Sequence, residues 1–218
     1  PPLPTGPVDP NLLGATTRSF LAKVLTSLMD RFEQDDDKDT VAAAGEALAQ
    51  LAMLLGGPGV HSVTQRLIDT CLQLLQQEHI CQSSDDELDG EEDHDGALWE
   101  AVSELLTALP KVLGERWLEH FAAIYPKLVP YLSEGHPSSD RSLAIGITAE
   151  SIHQLGGCVA SYFSSVLPHA LVCSRDEDVT CRQNGTFCLG VLGLSGGDQV
   201  GSGCGSGCGS GWGAGCGS

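Results

Sequence analysis

An apolar helical pattern that ends in glycine recurs along this chain and constrains its fold more than any other feature. The clearest copy runs from Ser139 to Leu155 and is followed by Gly156 and Gly157. Its apolar residues recur at helical spacing: Leu143, Ile147, Ile152 and Leu155. Ser139 or Asp140 is expected to cap its start. Gly156 is expected to end it because glycine adopts the left-handed conformation of a C′ residue without steric cost.

Three other stretches show the same pattern, so the four terminal glycines are Gly56, Gly114, Gly156 and Gly196. Their separations are 58 (114−56), 42 (156−114) and 40 (196−156) residues, and an acidic insertion lies within the long interval. A period of about 40 to 47 residues with two helices per unit is typical of HEAT or armadillo repeats. The sequence therefore predicts an all-α protein, an α-solenoid of about four antiparallel HEAT-type helix pairs in an open, right-handed superhelix.

This repeat divides the chain into five regions. Residues 1–15 are rich in proline and are expected to be a linker or a truncated element. Residues 16–82 hold pair one and the first helix of pair two, 83–96 form an acidic loop, and 97–197 hold the second helix of pair two with pairs three and four. Residues 198–218 are a Gly/Ser/Cys low-complexity tail that cannot form a packed core and is not expected to belong to the native fold.

The composition limits the classes of partner. The formal net charge is −18, which makes nucleic acid an unsuitable direct partner and favours a basic protein or peptide. The same acids could instead only keep a leucine-rich solenoid in solution. No apolar run reaches the roughly 20 residues that span a bilayer, so no membrane partner is expected.

No group of residues in the sequence points to chemistry. The seven histidines are scattered, and neither a nucleophile elbow nor a phosphate-binding glycine loop is present. Cys204, Cys208 and Cys216 lack the fourth ligand and the tighter spacing of a structural zinc site. We therefore expect no enzymatic activity, no metal and no cofactor.

Acidic side chains are the candidate partner-binding residues. Glu100 and Glu104 are i,i+4 neighbours on the polar side of a second helix, and Glu150 lies on the second helix of the next pair. In α-solenoids one helix layer lines the concave face, which commonly binds partners; a merely solvated helix face is the alternative. Asn184 is a candidate for a hydrogen bond to the partner's backbone. The acidic loop is expected to attract a basic partner at long range through Asp85, Asp86, Glu87, Glu91, Glu92 and Asp93.

Several segments, in this order and spacing, resemble the importin-β (karyopherin-β) family. They are Phe20–Val24 leading to Glu46–Leu48, Cys81 before the acidic run, Asp140–Gly146 with Ala149–Ile152, and Arg182–Phe187 with Gly190–Leu192. Cys181 departs from the family pattern, which usually has Val before this Arg. The glycine-rich tail also stands where further repeats are expected, so the chain is not expected to be a complete carrier.

The resemblance implies a HEAT superhelix that carries basic cargo, such as a histone or a ribosomal protein, between cytoplasm and nucleus. It implies contact with nucleoporins at the nuclear pore and release of cargo on binding the GTPase Ran, which other parts of a full-length chain would contact. The alternative function is that of a HEAT-repeat scaffold subunit in a multiprotein complex, such as a phosphatase or a chromosome-organising complex.

Overall fold

The computed structural model describes residues 12–82 and 96–197. Within these ranges the chain forms eight α-helices joined by turns and short 3₁₀ segments. The predicted linker, acidic loop and tail lie wholly or mainly outside the described residues. The helices are α1 (Ala15–Gln34), α2 (Lys38–Val60), α3 (Thr64–Leu75), α4 (Gly96–Leu113), α5 (Trp117–Leu128), α6 (Ser138–Leu155), α7 (Phe163–Cys173) and α8 (Val179–Gly197).

The helices pack as four consecutive pairs: α1 with α2, α3 with α4, α5 with α6, and α7 with α8. The second helices also stack on one another in the order α2, α4, α6, α8, and these are among the most extensive contacts in the molecule. The all-α prediction and the antiparallel HEAT-type pairing are confirmed. The right-handed superhelix stays a prediction.

One continuous apolar core runs through all four pairs. Trp117, Phe32 and Phe121 are among its largest fully buried side chains. A buried hydrogen bond of 2.9 Å from Trp117 Nε1 to Ser151 Oγ joins α5 to α6. Because the indole nitrogen finds an acceptor, the largest side chain of the core is buried without an unpaired polar atom.

Prolines alter the first helix of pair three. Pro126 lies inside α5, and Pro130 lies in the 3₁₀ segment Val129–Leu132 that follows it. Because proline cannot donate a backbone hydrogen bond, each of these residues removes one hydrogen bond of a regular α-helix, and α5 gives way to a 3₁₀ segment after Leu128. Pro110, in contrast, lies inside α4, and that helix continues to Leu113.

The expected positive φ is found at three of the four predicted glycines, but the left-handed helical conformation is not found at Gly56 and Gly156, whose ψ angles are −177° and −134°. Gly56, Gly114 and Gly156 have φ of 66°, 56° and 54°. Gly56 interrupts α2 with a non-helical conformation, after which the helix resumes to Val60. The fourth prediction is wrong, because Gly196 has no positive φ and lies within α8. Glycine permits a turn of this kind but does not impose one.

The predicted cap of α6 is also wrong. The helix begins at Ser138, one residue earlier than expected, and its N-cap residue is Pro137, which makes no side-chain cap bond. Asp140 is instead buried in the first turn, and its Oδ2 lies 3.5 Å from His136 Nδ1. A carboxylate in the first turn is still favourable there because it complements the helix dipole.

Two stretches are long and apolar enough to cross a membrane by composition alone, Lys38–Val60 and Ser138–Cys173. The first is α2, which has ten buried residues in the core of the helix array. The second is not one helix, because Gly156 and a 3₁₀ segment separate α6 from α7. The first stretch is therefore a core helix of the array, and the second consists of two shorter helices.

Candidate functional site

The second helices α2, α4, α6 and α8 form what we call the second-helix layer. They contact one another more extensively than the first helices do. The concave surface of a solenoid commonly binds partners, and the exposed side of this layer is the one that the sequence predicts to be concave. The predicted acids Glu100, Glu104 and Glu150 all belong to this layer.

A groove of about 400 Å³ runs between α2 and α4 on this layer. Ala49 and Ala108 are buried at its floor, and Met53 is 45% exposed at its side. Its polar lining comes from four further side chains, Gln50, Glu104, Thr107 and Lys111. The groove can therefore take an apolar group together with a hydrogen-bonding or charged one.

Glu104 is the predicted site residue that lies in this groove. Its side chain is exposed, as is that of Glu100 one turn earlier. Neither carboxylate forms an ion pair or a hydrogen bond with the described residues. These two negative charges are thus available to a basic ligand from outside the chain.

Glu150 is less available than Glu100 and Glu104. Its side chain is only 15% exposed, and its Oε2 lies 3.6 Å from Lys111 Nζ on α4. Its Oε1 accepts a hydrogen bond of 2.9 Å from Gln154. A basic ligand at Glu150 has to compete with Lys111 for the carboxylate. The role of Glu150 in partner binding stays a prediction.

Asn184 holds two repeats together. Its Nδ2 donates hydrogen bonds of 3.1 Å to both the backbone O and the Oγ of Ser142 on α6. Both donor hydrogens of the amide are thereby used within the fold. Contact between Asn184 and a partner's backbone stays a prediction, and it would have to use the amide oxygen.

The six predicted acids of the loop lie outside the described residues: Asp85, Asp86, Glu87, Glu91, Glu92 and Asp93. Sequence reasoning missed Gln50, Met53 and Lys111, which complete the groove. The available signal was Met53, three residues after Gln50 on α2, since methionine is frequent at adaptable binding surfaces. Nothing local indicated that Lys111 would reach the next helix pair.

The described residues contain no group of three or more His, Cys, Asp or Glu that could hold a metal ion. Burial raises the pKa of the Cys71 and Cys188 thiols to about 12. Thiols with such pKa values stay protonated at neutral pH and are poor nucleophiles. The arrangement of side chains in this layer suits binding by charge and shape.

Comparison with known proteins gives the following relatives. Human importin-4 is 31% identical over 204 residues, which cover 88% of this chain and 18% of that protein. Mouse importin-4 is 30% identical over 187 residues, or 83% of this chain and 17% of that protein. The probable importin subunit beta-4 of Schizosaccharomyces pombe is 21% identical over 140 residues. No family model matches the chain.

A solved structure shares the fold. A crystal structure of a Kap121p mutant superposes with a TM-score of 0.61 at 15% sequence identity, covering 81% of this chain and 17% of that one. This chain thus spans less than a fifth of the length of the relatives that it matches.

Proposed function

We infer that this chain, which belongs to the importin-β family, forms part of a nuclear transport receptor and binds a basic cargo segment on its second-helix layer. We assign it no enzymatic activity. It acts in the cytoplasm and the nucleus, and contacts with nucleoporins and with Ran belong to the full receptor. The cargo is a protein with a lysine-rich segment, as in histones or ribosomal proteins.

The observation that carries the proposal is the groove between α2 and α4. It places the free carboxylate of Glu104 beside the exposed thioether of Met53. An extended cargo segment can pair a lysine with Glu104 or Glu100 while its stem or a neighbouring side chain lies on Met53. The formal charge of −18 supports attraction of such a segment over longer distances.

The two sets of acids have different expected roles. Glu100 and Glu104 act in contact with the cargo and hence mainly slow its dissociation. The loop acids Asp85, Asp86, Glu87, Glu91, Glu92 and Asp93 act through long-range attraction and hence mainly raise the association rate. The second effect fades with salt because the Debye length falls below about 8 to 10 Å above physiological ionic strength.

The test is binding of an immobilised lysine-rich histone H3 tail peptide to the full chain across a salt series. An exposed ion pair contributes about 0.2 to 1 kcal/mol, so the double variant Glu100→Gln/Glu104→Gln should weaken binding by roughly 2- to 30-fold. Its effect should lie in the dissociation rate. Replacing the six loop acids by Ser should instead lower the association rate at low salt.

The matched control is Glu119→Gln. Glu119 is an exposed acid of α5, in the first-helix layer, so its loss removes one negative charge, as each of the single variants Glu100→Gln and Glu104→Gln does, without touching the groove. A peptide with glutamine in place of every lysine controls for charge on the ligand. If neither set of variants differs from Glu119→Gln, the acids serve only solubility and the site assignment is wrong.

A further inference from the structure

Lys111 is a positive charge in the groove that takes a basic segment under the proposed function. It lines this groove together with Glu104, and its side chain is 41% exposed. The other lysines and arginines of the second-helix layer, Lys38, Arg141 and Arg182, lie within the first four residues of their helices. Lys111 instead lies in the last turn of α4. A segment bound along the groove therefore meets both a negative and a positive charge.

The contacts of Lys111 within the fold leave part of its ammonium group available. Its Nζ lies 3.6 Å from Glu150 Oε2, which is longer than the roughly 2.7 to 3.2 Å of a hydrogen bond. Glu150 has other donors nearby, since Gln154 donates to its Oε1 at 2.9 Å and His153 Nδ1 lies 4.0 Å from the same oxygen. A lysine ammonium can donate three hydrogen bonds. Lys111 can therefore pair with a carboxylate from outside while it stays beside Glu150.

The spacing of Glu104 and Lys111 suits an extended peptide. The two residues are seven positions apart on α4 (111−104), which corresponds to about 10.5 Å along the axis and nearly two full turns. Their side chains thus start from the same face of the helix. A peptide in the polyproline II conformation has three residues per turn and rises about 3.1 Å per residue, so residues three positions apart lie on one side, about 9 Å apart. A lysine and an acidic residue at this spacing match the two charges.

The rest of the groove is partly apolar. Ala49 and Ala108 are buried at its floor, and Met53 is exposed at its side. Apolar residues between the lysine and the acid of the bound segment are therefore favoured. A second lysine in the place of the acid would instead face the ammonium of Lys111, and like charges that meet at an interface oppose binding.

We propose, on the basis of the function proposed above, that Lys111 is a specificity-determining residue. It selects cargo segments in which an acidic residue lies three positions from the lysine that pairs with Glu104. The occupant of the groove is thus a segment of mixed charge and not an unbroken run of lysines. The net charge of −18 favours the opposite choice, because the chain as a whole attracts each additional lysine. Pairing at Lys111 and long-range attraction therefore predict different orders of affinity.

The test uses three short blocked peptides that are neutral and identical except at two positions. One position is lysine, and the position three residues on is Glu, Gln or Lys; a second set has the two positions exchanged, to cover the opposite chain direction. Binding to the full chain is followed by NMR of the methionine methyl groups. The chain has two methionines, Met53 at the groove and the fully buried Met29, which serves as an internal reference.

The measurements are made at about 0.3 M salt, where the Debye length is roughly 6 Å and long-range attraction is weak. In one of the two sets the Glu peptide should bind the original chain roughly 2- to 5-fold more tightly than the Gln peptide. The Lys peptide of that set should bind more weakly than both. Lys111→Gln should abolish the difference between the Glu and Gln peptides, and Lys111→Glu should reverse the order, so that the Lys peptide binds most tightly.

The matched control is Lys127→Glu. Lys127 is an exposed lysine in the last turn of α5, in the first-helix layer, so this variant makes the same charge change at a similar helical position away from the groove. It should leave the ratio of the affinities for the Glu and Lys peptides within twofold of the original. If Lys111 serves only the end of α4 or Glu150, its variants change the stability and not the order of affinities. Circular dichroism checks that every variant remains folded.

Two kinds of failure can be told apart. If no peptide shifts the Met53 methyl signal, or the shift does not depend on Glu100 and Glu104, the groove does not bind basic segments, and both the proposed function and the role of Lys111 are wrong. If the peptides bind through Glu104 but rank in the same order in the original chain and in Lys111→Glu, only the proposal for Lys111 is overturned.

Discussion

Replacing Gly156 by alanine isolates the energetic role of the turn after α6. The backbone there has φ 54° and ψ −134°. This ψ lies far from the value of about +47° in the left-handed helical region, and closer to a region that glycine alone populates freely. A Cβ added at Gly156 would meet no atom within 4 Å. The Gly156→Ala variant therefore introduces backbone strain without a steric clash.

The expected magnitude follows from two opposing effects. A non-glycine residue in a sparsely populated backbone region costs about 1 to 3 kcal/mol. Alanine also restricts the unfolded chain, which favours folding by about 0.4 to 1 kcal/mol. The central values give a net loss of about 1.3 kcal/mol, and for a chain of this size that lowers Tm by about 3 to 5 °C.

The assay is thermal unfolding followed by circular dichroism at low protein concentration. Gly190→Ala is the matched control, since Gly190 is an exposed helical residue of α8 whose added Cβ meets nothing within 4 Å. That change should raise stability by about 0.5 to 1 kcal/mol. Gly156→Asn should be no better than Gly156→Ala, because asparagine tolerates the left-handed helical region and not this ψ. A Tm equal to that of the original chain in Gly156→Ala, or full recovery in Gly156→Asn, would refute the reasoning.

Two further predictions concern the contact between pairs three and four. In Gly185→Ala the new Cβ would lie 2.4 Å from Ser174 N and 2.6 Å from Cys173 C. Because backbone atoms cannot move aside easily, we expect the free energy of unfolding, measured in urea, to fall by about 1 to 3 kcal/mol. An unchanged urea midpoint would contradict the close approach. The Arg141 guanidinium holds the pKa of Asp176 well below its ordinary value of 3.8, so the carboxylate stabilises the fold above that pH and loses its effect as pH falls towards the lowered pKa. The stability difference between the original chain and Asp176→Asn should hence be widest at pH 7 and shrink below about pH 4, and a difference that is equal at both would count against the ion pair.

The helices and their pairing were predictable because the signal repeats. The apolar residues of α3 and α4 recur at helical spacing, and the glycines that follow second helices recur at about 40 residues. Each copy of the pattern supports the interpretation of the others. The buried residues of α6, among them Ile147, Ile152 and Leu155, agree with the stripe expected from the sequence.

The helix ends were less predictable because several short signals compete there. Gly196 and Gly156 have the same local sequence signal, a glycine pair after an apolar helix, yet only Gly156 has positive φ. At the start of α6 three residues in succession, Ser138, Ser139 and Asp140, could each serve as a cap by chemistry. The chain places all three inside the helix after Pro137.

The sequence predicted on which helix face the acidic site residues lie, but not which side chains of different helices meet. Glu100 and Glu104 fall on the polar face of α4, and the structure leaves both exposed. Lys111 and Glu150 meet across two helices that are 39 residues apart in sequence (150−111), at 3.6 Å. Such a contact depends on the crossing of α4 and α6, which periodicity does not determine. Asn184 and Ser142 meet across repeats for the same reason.

The small residues of the second helices connect packing to the proposed function. A Cβ on Gly45 would lie 3.1 Å from the Phe32 ring, and a Cβ on Gly57 would lie 2.6 Å from Val112 O on α4. These glycines hence let α2 approach both its partner α1 and the next second helix, α4. Close approach in this layer brings Met53 of α2 and Glu104 of α4 to one shallow groove. Larger residues at Gly45 or Gly57 would separate the helices, so the same substitutions that loosen the core should also weaken binding of a basic segment across α2 and α4.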